Sequence, residues 1–237
     1  MYNYKFENGH CIVEIEGYKW MIDSGAPSMS FNRNVSCIEI DGHKYPLLFD
    51  TKYKAIIDKV VGISVDGIIG CDILSKTSFS LDVKGNFCFG MDLVSTENHI
   101  GVKIESIYPN VKNNVIIGKI TIDCKEAYAL FDTGAHINYI DPKFVTSPYV
   151  ADRDYDMEDY DLDGRRILSK SFVEVCQTRD ICHKVTFGIP EISSSPVKLM
   201  NKTETSAVIG LYNCKFNQPI FHESFGIDYK NKKLFIK

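Results

Sequence analysis

The sequence lacks three features that would place it in familiar classes of protein. It has no apolar run near the ~18 residues that cross a bilayer. It has no long basic stretch of the kind that binds nucleic acid, and no C-x-x-C pair of the kind that holds zinc. The formal net charge is −4 over 237 residues. We therefore expect no membrane partner, no nucleic-acid partner, no metal and no cofactor.

Signal-peptide character is also missing, since no apolar core follows the polar N-terminus MYNYKFENGH. We expect a cytoplasmic chain, with a secreted mature form as the alternative. Eight cysteines are scattered along the sequence. A cytoplasmic location predicts free thiols, and an oxidising compartment would permit disulfides.

Short apolar runs and two-residue alternation dominate the chain and predict a mainly β protein with a few short helices. Hairpins are predicted in HCIVEIEGYKWMI and in CIEIDGHKYPLLF, with Asp41-Gly42 at the turn of the second. Short helices are expected after Gly70 and at Asp141-Pro142.

Two short phrases recur in the two halves of the chain. IDSGA (22–26) and FDTGA (131–135) each end an apolar run with Asp, a hydroxyl residue, Gly and Ala. DGIIGCDIL follows the first phrase and SAVIGL the second, and each half then closes with an Asp, a turn and an apolar strand. Such an internal repeat predicts two similar β-rich lobes, residues 1–95 and 96–237, that divide near STENHIG.

The second half carries an acidic insertion near 152–164. Within it, DYDLDG matches the front of a calcium loop, with ligands at Asp159, Asp161 and Asp163. Lys170 stands where such a loop needs its bidentate Glu. The segment is therefore a calcium loop, a solvated acidic loop that ends in an Asp-Gly turn, or a segment whose charge biases substrate choice.

Asp23 and Asp132 are the candidate catalytic residues. Similar halves can pack about a pseudo-twofold axis, which would bring these two carboxyl groups together. Two carboxylates about 3 Å apart share one proton. The ionised partner can then accept a proton from water while the protonated partner polarises a carbonyl group. This chemistry is general acid–base hydrolysis without a covalent intermediate.

The two phrases and the segments that follow them resemble those of the aspartic proteases. The first half is most similar to the subunit of retroviral-type proteases, and the two-lobed single chain resembles pepsin, although it is shorter. The resemblance implies a monomeric aspartic endopeptidase that acts on peptide or protein substrates, with Asp23 and Asp132 as its pair of catalytic carboxyl groups.

The same resemblance implies roles for neighbouring residues. Ser24 and Thr133 would brace the two loops across the axis, and Gly25 and Gly134 would be the turn residues. The family covers its substrate with a hairpin flap, for which CIEIDGHKYPLLF is the candidate, with Tyr45 near the tip. The alternative is an ordinary hairpin packed on the lobe. LDGRRILSKSFVEV occupies the corresponding region of the second half, so the sequence leaves open whether one flap or two close the cleft.

Two alanines bear on the pH dependence. Ala26 and Ala135 stand where pepsin-like enzymes with acidic optima often carry Ser or Thr. That hydroxyl group donates a hydrogen bond that favours the ionised carboxylate. Without it, the pair should hold its shared proton to higher pH than pepsin does.

A non-catalytic function is the main alternative. The same fold would also serve as a peptide-binding or dimerisation module that cuts nothing. A pure binder needs neither carboxylate, so the presence of both Asp residues and both hydroxyl-Gly partners favours the enzyme.

Overall fold

The computed structural model describes residues 1–95, 99–108, 111–122, 125–145, 156–160, 165–175, 184–213 and 216–237. Twenty-two strands and three helices lie in these ranges, which confirms the prediction of a mainly β protein with few helices. In the part of the chain so described, no helix combines the length and the apolar character needed to cross a membrane.

The first half contains ten strands and two helices. The strands are β1 Tyr2–Glu7, β2 His10–Ile15, β3 Tyr18–Asp23, β4 Met29–Ser30, β5 Cys37–Ile40, β6 His43–Pro46, β7 Leu48–Phe49, β8 Gly67–Gly70, β9 Phe79–Asp82 and β10 Asn86–Phe89. The helices are α1 Lys54–Val61 and α2 Cys71–Thr77. Both predicted hairpins form, as β2–β3 and β5–β6. The helix expected after Gly70 is α2, whereas α1 was not predicted.

The second half contains the remaining strands and one helix. The strands are β11 Ile100–Tyr108, β12 Val111–Ile122, β13 Lys125–Phe131, β14 Asn138–Ile140, β15 Asp156–Tyr160, β16 Arg166–Val175, β17 Lys184–Pro190, β18 Ala207–Ile209, β19 Tyr212–Asn213, β20 Gln218–Pro219, β21 Ser224–Asp228 and β22 Lys233–Ile236. The helix is α3 Ser195–Thr203.

The prediction of a helix at Asp141-Pro142 is wrong, because residues 142–144 form a turn. The Asp141 side chain accepts a hydrogen bond from the backbone N–H of Lys143 at 2.9 Å. Its carbonyl oxygen accepts another from the N–H of Phe144 at 2.9 Å. Asp141 thus closes a single turn with its own side chain and carbonyl oxygen. Asp residues often form such turns instead of capping a helix.

A six-stranded antiparallel sheet joins the two halves, in the order β1-β10-β9-β21-β22-β11. Its centre is the pairing of β9 from the first half with β21 from the second, where Phe79 lies opposite Ile227. The rings of Phe79, Phe87 and Phe225 lie against one another within this layer. Burial of these large rings holds the halves in one relative position.

Each half supports its Asp-containing phrase with the same local strand arrangement. In the first half β3 runs parallel to β8, with Asp23 opposite Gly70, and β4 runs antiparallel to β8. In the second half β13 runs parallel to β18, with Phe131 opposite Ile209, and β14 runs antiparallel to β18. All residues of β8 and β18 are buried, as their continuous apolar sequences indicate.

The hydrophobic core has one part shared by the two halves and one smaller part within each half. One large cluster takes residues from both halves. Two smaller clusters each belong to one half: one contains Met21, Ala26 and Ile68, and the other contains Leu130 and Val208. Each Asp-containing phrase is therefore packed on an apolar cluster of its own half.

Several sequence predictions fall outside the described residues. They concern Asp161, Asp163 and Gly164 of the suggested calcium loop, part of the dividing segment at 96–98, most of the acidic insertion, and Cys124, Cys176, Cys182 and Cys214. Among the described cysteines no disulfide is present.

Gly210 should tolerate no side chain, because it lies directly under the second phrase. A Cβ atom there would be 1.9 Å from the carbonyl oxygen of Ala135, and the equivalent atom on Gly70 would be 2.1 Å from that of Ala26. We expect Gly210→Ala to lower the free energy of unfolding by about 1–3 kcal/mol in urea denaturation. Gly101→Ala is the control, since a Cβ there meets nothing within 4 Å. Equal stabilities of the two variants would contradict this packing.

Candidate active site

The structure brings the two Asp-containing phrases face to face. A Cβ atom built on Gly25 would lie 2.5 Å from Oδ2 of Asp132, and one on Gly134 would lie 2.3 Å from Cγ of Asp23. Each glycine therefore faces the carboxyl group of the opposite loop. Any larger residue would occupy the space that this carboxyl group fills, so glycine is required for the close approach.

Ser24 and Thr133 join the two loops by reciprocal hydrogen bonds. The N–H of Ser24 donates to Oγ1 of Thr133 at 2.8 Å, and the N–H of Thr133 donates to Oγ of Ser24 at 3.0 Å. The Thr133 hydroxyl then donates to the carbonyl oxygen of Ile22 at 3.1 Å, and the Ser24 hydroxyl donates to that of Phe131 at 3.4 Å. Both side chains are buried, so these bonds connect the halves away from water.

Backbone N–H groups orient the two carboxyl groups. Oδ1 of Asp23 accepts hydrogen bonds from Gly25 at 2.8 Å and from Ala26 at 3.0 Å. Oδ1 of Asp132 accepts one from Gly134 at 3.0 Å. One oxygen of each carboxyl group is thereby held by its own loop, which fixes the plane of the group.

The environment raises the pKa of both carboxyl groups. Burial raises the pKa of Asp23 well above its ordinary range, and the adjacent Asp132 raises it further, against the opposing effect of the Gly25 N–H. Burial also raises the pKa of Asp132, against the opposing effects of hydrogen bonds from the Gly134 N–H, from Asp23 and from the Gly25 N–H, and the nearby Asp159 adds a smaller increase. The pair therefore retains a proton at a pH where an exposed aspartate is ionised.

The carboxyl pair opens into a cleft with largely apolar walls. Helix α1 forms one wall, and strands and helix α3 of the second half form the other. The apolar side chains in these walls include Ile56, Ile57, Val60, Val115, Leu130, Leu199 and Val208. Two carboxyl groups at the base of a cleft with largely apolar walls form a concave site.

The β15–β16 hairpin of the second half lines part of this cleft. Asp159 and Tyr160 lie at its edge and line the cleft. The Tyr139 hydroxyl donates a hydrogen bond to Oδ2 of Asp159, which joins the hairpin to β14. Nζ of Lys59 on α1 lies 4.0 Å from the centroid of the Tyr160 ring, a cation–π contact between the two halves. The described strand of the second-half segment LDGRRILSKSFVEV, Arg166–Val175, thus belongs to a strand pair beside the carboxyl pair.

Tyr45, the candidate flap residue, lies elsewhere. It is not among the described residues that line the cleft. Its ring packs on the large core cluster, with Nζ of Lys76 at 5.8 Å from the centroid. Ile38 and Ile40 of the same hairpin are only 2% and 1% exposed. Because these side chains anchor β5–β6 in the core, it adopts the alternative arrangement of an ordinary packed hairpin.

Two histidines in the cleft were missed by sequence reasoning. The rings of His10 and His136 stack with their centroids 5.1 Å apart, and Nδ1 of His136 lies 3.5 Å from Oδ1 of Asp159. Burial, with His136 next to it, lowers the pKa of His10 to about 3, so its ring is neutral. The available signal was His136 directly after FDTGA, but nothing local indicated its contact with His10.

The reciprocal hydroxyl bonds should contribute measurably to stability. Thr133→Ala leaves the buried N–H of Ser24 without its acceptor, which should cost about 1–3 kcal/mol of unfolding free energy. Thr133→Ser keeps the hydroxyl group and is the matched control. Urea denaturation of the two variants measures the difference. If Thr133→Ala is as stable as Thr133→Ser, the hydroxyl bonds do not hold the loops together.

The carboxyl pair should make stability depend on pH in a defined direction. Its pKa is raised in the folded state, so the folded chain binds more protons than the unfolded chain above the ordinary aspartate pKa. The contribution of the pair to the free energy of unfolding is therefore fully present below the ordinary aspartate pKa. It is lost as the pH rises through the folded pKa. We expect Asp132→Asn to gain stability relative to wild type as the pH rises from about 4 to 7. Asp92→Asn, at an exposed position, is the control. A difference that shrinks with rising pH would contradict the raised pKa.

Comparisons with known proteins add no family assignment, since the chain matches no protein-family model and no curated protein sequence. The site consists of two carboxyl groups of raised pKa, held together by hydroxyl-bonded loops at the base of a cleft with largely apolar walls.

Proposed function

We propose that this chain is an aspartic endopeptidase that hydrolyses peptide bonds with a water molecule activated between Asp23 and Asp132. The observation that carries the proposal is the pair of opposed loops, which brings two half-buried carboxyl groups together and raises their pKa. Burying two like-charged groups is unfavourable for folding. Such an arrangement suits an acid–base function better than passive peptide binding.

The two carboxyl groups divide the proton transfers between them. The ionised member accepts a proton from water as the water oxygen attacks the carbonyl carbon of the scissile bond. The protonated member donates its proton to the carbonyl oxygen, giving a neutral tetrahedral diol. When the C–N bond breaks, the protonated member gives its proton to the leaving nitrogen. A hydroxyl group of the diol returns a proton to the other carboxylate as the C=O bond of the product acid forms, so the pair again holds one shared proton. The N–H groups of Gly25, Ala26 and Gly134 hold the carboxyl groups in place throughout.

We propose that the halves are two lobes related by a pseudo-twofold axis, divided as residues 1–95 and 96–237. The matching strand arrangements around β8 and β18 support this, as does the central β9–β21 pairing of the joining sheet. One chain then supplies both carboxyl groups, so a monomer suffices for activity on a peptide or protein substrate.

Either carboxyl group should be essential for hydrolysis. Asp23→Asn and Asp132→Asn each remove the shared proton, and we expect each to lower kcat/KM by at least about 100-fold. A peptide-library digest followed by mass spectrometry measures the activity, with Asp92→Asn as the control. Substantial cleavage by either Asn variant would contradict the proposed mechanism. Peptide binding without cleavage by the wild type would favour the non-catalytic alternative.

The two alanines should set the pH optimum. Ala26 offers its N–H to Asp23 but has no hydroxyl group to add a further donor. We expect wild-type kcat/KM to be greatest at about pH 5–6.5. This optimum reflects the apparent pKa values of the coupled pair, not those of either Asp alone. Ala26→Ser with Ala135→Ser should lower the upper apparent pKa by up to about one unit for each donor added. An optimum near pH ~3 in the wild type, or no acid shift in the double variant, would contradict this assignment.

A further inference from the structure

A second pocket continues the cleft between the two halves of the chain. Val60, His136 and Tyr160 line both spaces, so an extended peptide that leaves the carboxyl pair on this side passes directly into the pocket. Its volume is about 480 Å³. His136 is the residue that follows FDTGA in the sequence, so the pocket begins beside the loop that carries Asp132.

Aromatic rings from both halves line this space, which we call the aromatic pocket and define by Phe6, Tyr160 and Tyr212. The rings of Phe6 and Tyr212 lie against each other, with their centroids 4.7 Å apart and their planes inclined by 41°. The Tyr212 hydroxyl donates a hydrogen bond to Oδ1 of Asn217 at 2.9 Å, which orients its ring. All three residues are half-buried, so each keeps accessible surface for an occupant. A further ring added edge-on or offset to such a pair contributes more than its apolar area alone.

Lys59 and Glu158 also line the aromatic pocket, and both are engaged with neighbouring side chains. Nζ of Lys59 lies 4.0 Å from the centroid of the Tyr160 ring. Glu158 accepts a hydrogen bond from the Tyr160 hydroxyl at Oε1 and another from Nη2 of Arg166 at Oε2, the latter at 2.6 Å. Their opposite charges also offset each other, since Lys59 helps to lower the pKa of Glu158. The pocket therefore suits an uncharged ring better than an acidic or a basic side chain.

We propose that the aromatic pocket binds an aromatic side chain of the substrate at a position removed from the scissile bond, on one side of it. This inference rests on the proposed function and specifies the substrate of the same site. Side chains next to the scissile bond meet the largely apolar walls of the cleft, which contains neither Phe6 nor Tyr212 among its described lining residues. The chain thus selects peptides with apolar residues at the cleft and an aromatic residue beyond them.

The test measures binding without requiring hydrolysis. Fluorescein-labelled nonapeptides with two central leucines are titrated with the Asp132→Asn protein, and Asp23→Asn serves as a second background. One phenylalanine is moved along the peptide, and each position is compared with cyclohexylalanine, a saturated ring of similar size that has no π electrons. We expect phenylalanine to bind about fivefold more tightly than cyclohexylalanine at one or two adjacent positions on one side.

Variants assign the preference to the aromatic pocket. Tyr212→Leu and Tyr160→Leu should each reduce it to about twofold or less, and Tyr212→Phe should keep it because the ring remains. Tyr128→Leu is the matched control, since Tyr128 is an exposed tyrosine with Nζ of Lys103 at 5.3 Å from its ring centroid but lies outside the aromatic pocket.

Three results would overturn the proposal: no measurable binding of any peptide, equal binding of phenylalanine and cyclohexylalanine at every position, or a preference that survives both leucine variants. A preference that both leucine variants remove, in a protein whose wild type cleaves no peptide, would support the pocket and refute the proposed hydrolysis. Cleavage by the wild type without any preference would refute the pocket alone.

Discussion

The reciprocal hydrogen bonds between Ser24 and Thr133 are the constraint on which the rest of the site depends. They hold together two loops that carry groups of like charge. With the loops fixed, Gly25 and Gly134 must lack side chains, because each faces the opposite carboxyl group. The raised pKa of both carboxyl groups follows from the same enclosure. The acid–base chemistry that we propose is therefore a consequence of how the two loops are joined.

The surrounding fold provides stability that offsets the unfavourable enclosure of the two carboxyl groups. The joining sheet buries Phe79, Phe87 and Phe225 between the halves, and the large core cluster runs through both. Beneath the loops, Gly70 and Gly210 let the chain pass against the carbonyl oxygens of Ala26 and Ala135. The site thus combines unfavourable groups at its centre with dense apolar packing around them, as functional sites commonly do.

The residues at the centre of the site were predictable because their signal is local and occurs twice. A repeated phrase of Asp, hydroxyl residue and Gly identifies the same positions in each half without any long-range contact. The stacking of His10 on His136 could not be predicted from a local pattern, since it joins residues that are far apart in the sequence. Tyr45 illustrates a different limit. The alternation of apolar and polar residues around Ile38 and Ile40 is the same in a hairpin that covers the substrate and in one that packs on the core. Only tertiary contacts distinguish the two.

The shared proton is the central claim, and carboxyl-carbon NMR of the protein labelled with ¹³C-aspartate measures it directly. A shared proton predicts that one coupled pair of carboxyl signals titrates well above the ordinary aspartate pKa of about 3.9. It also predicts that this coupled titration disappears in both Asp23→Asn and Asp132→Asn. Titration of every aspartate near the ordinary value in the wild type would show that the two carboxyl groups share no proton, and would contradict the proposed mechanism.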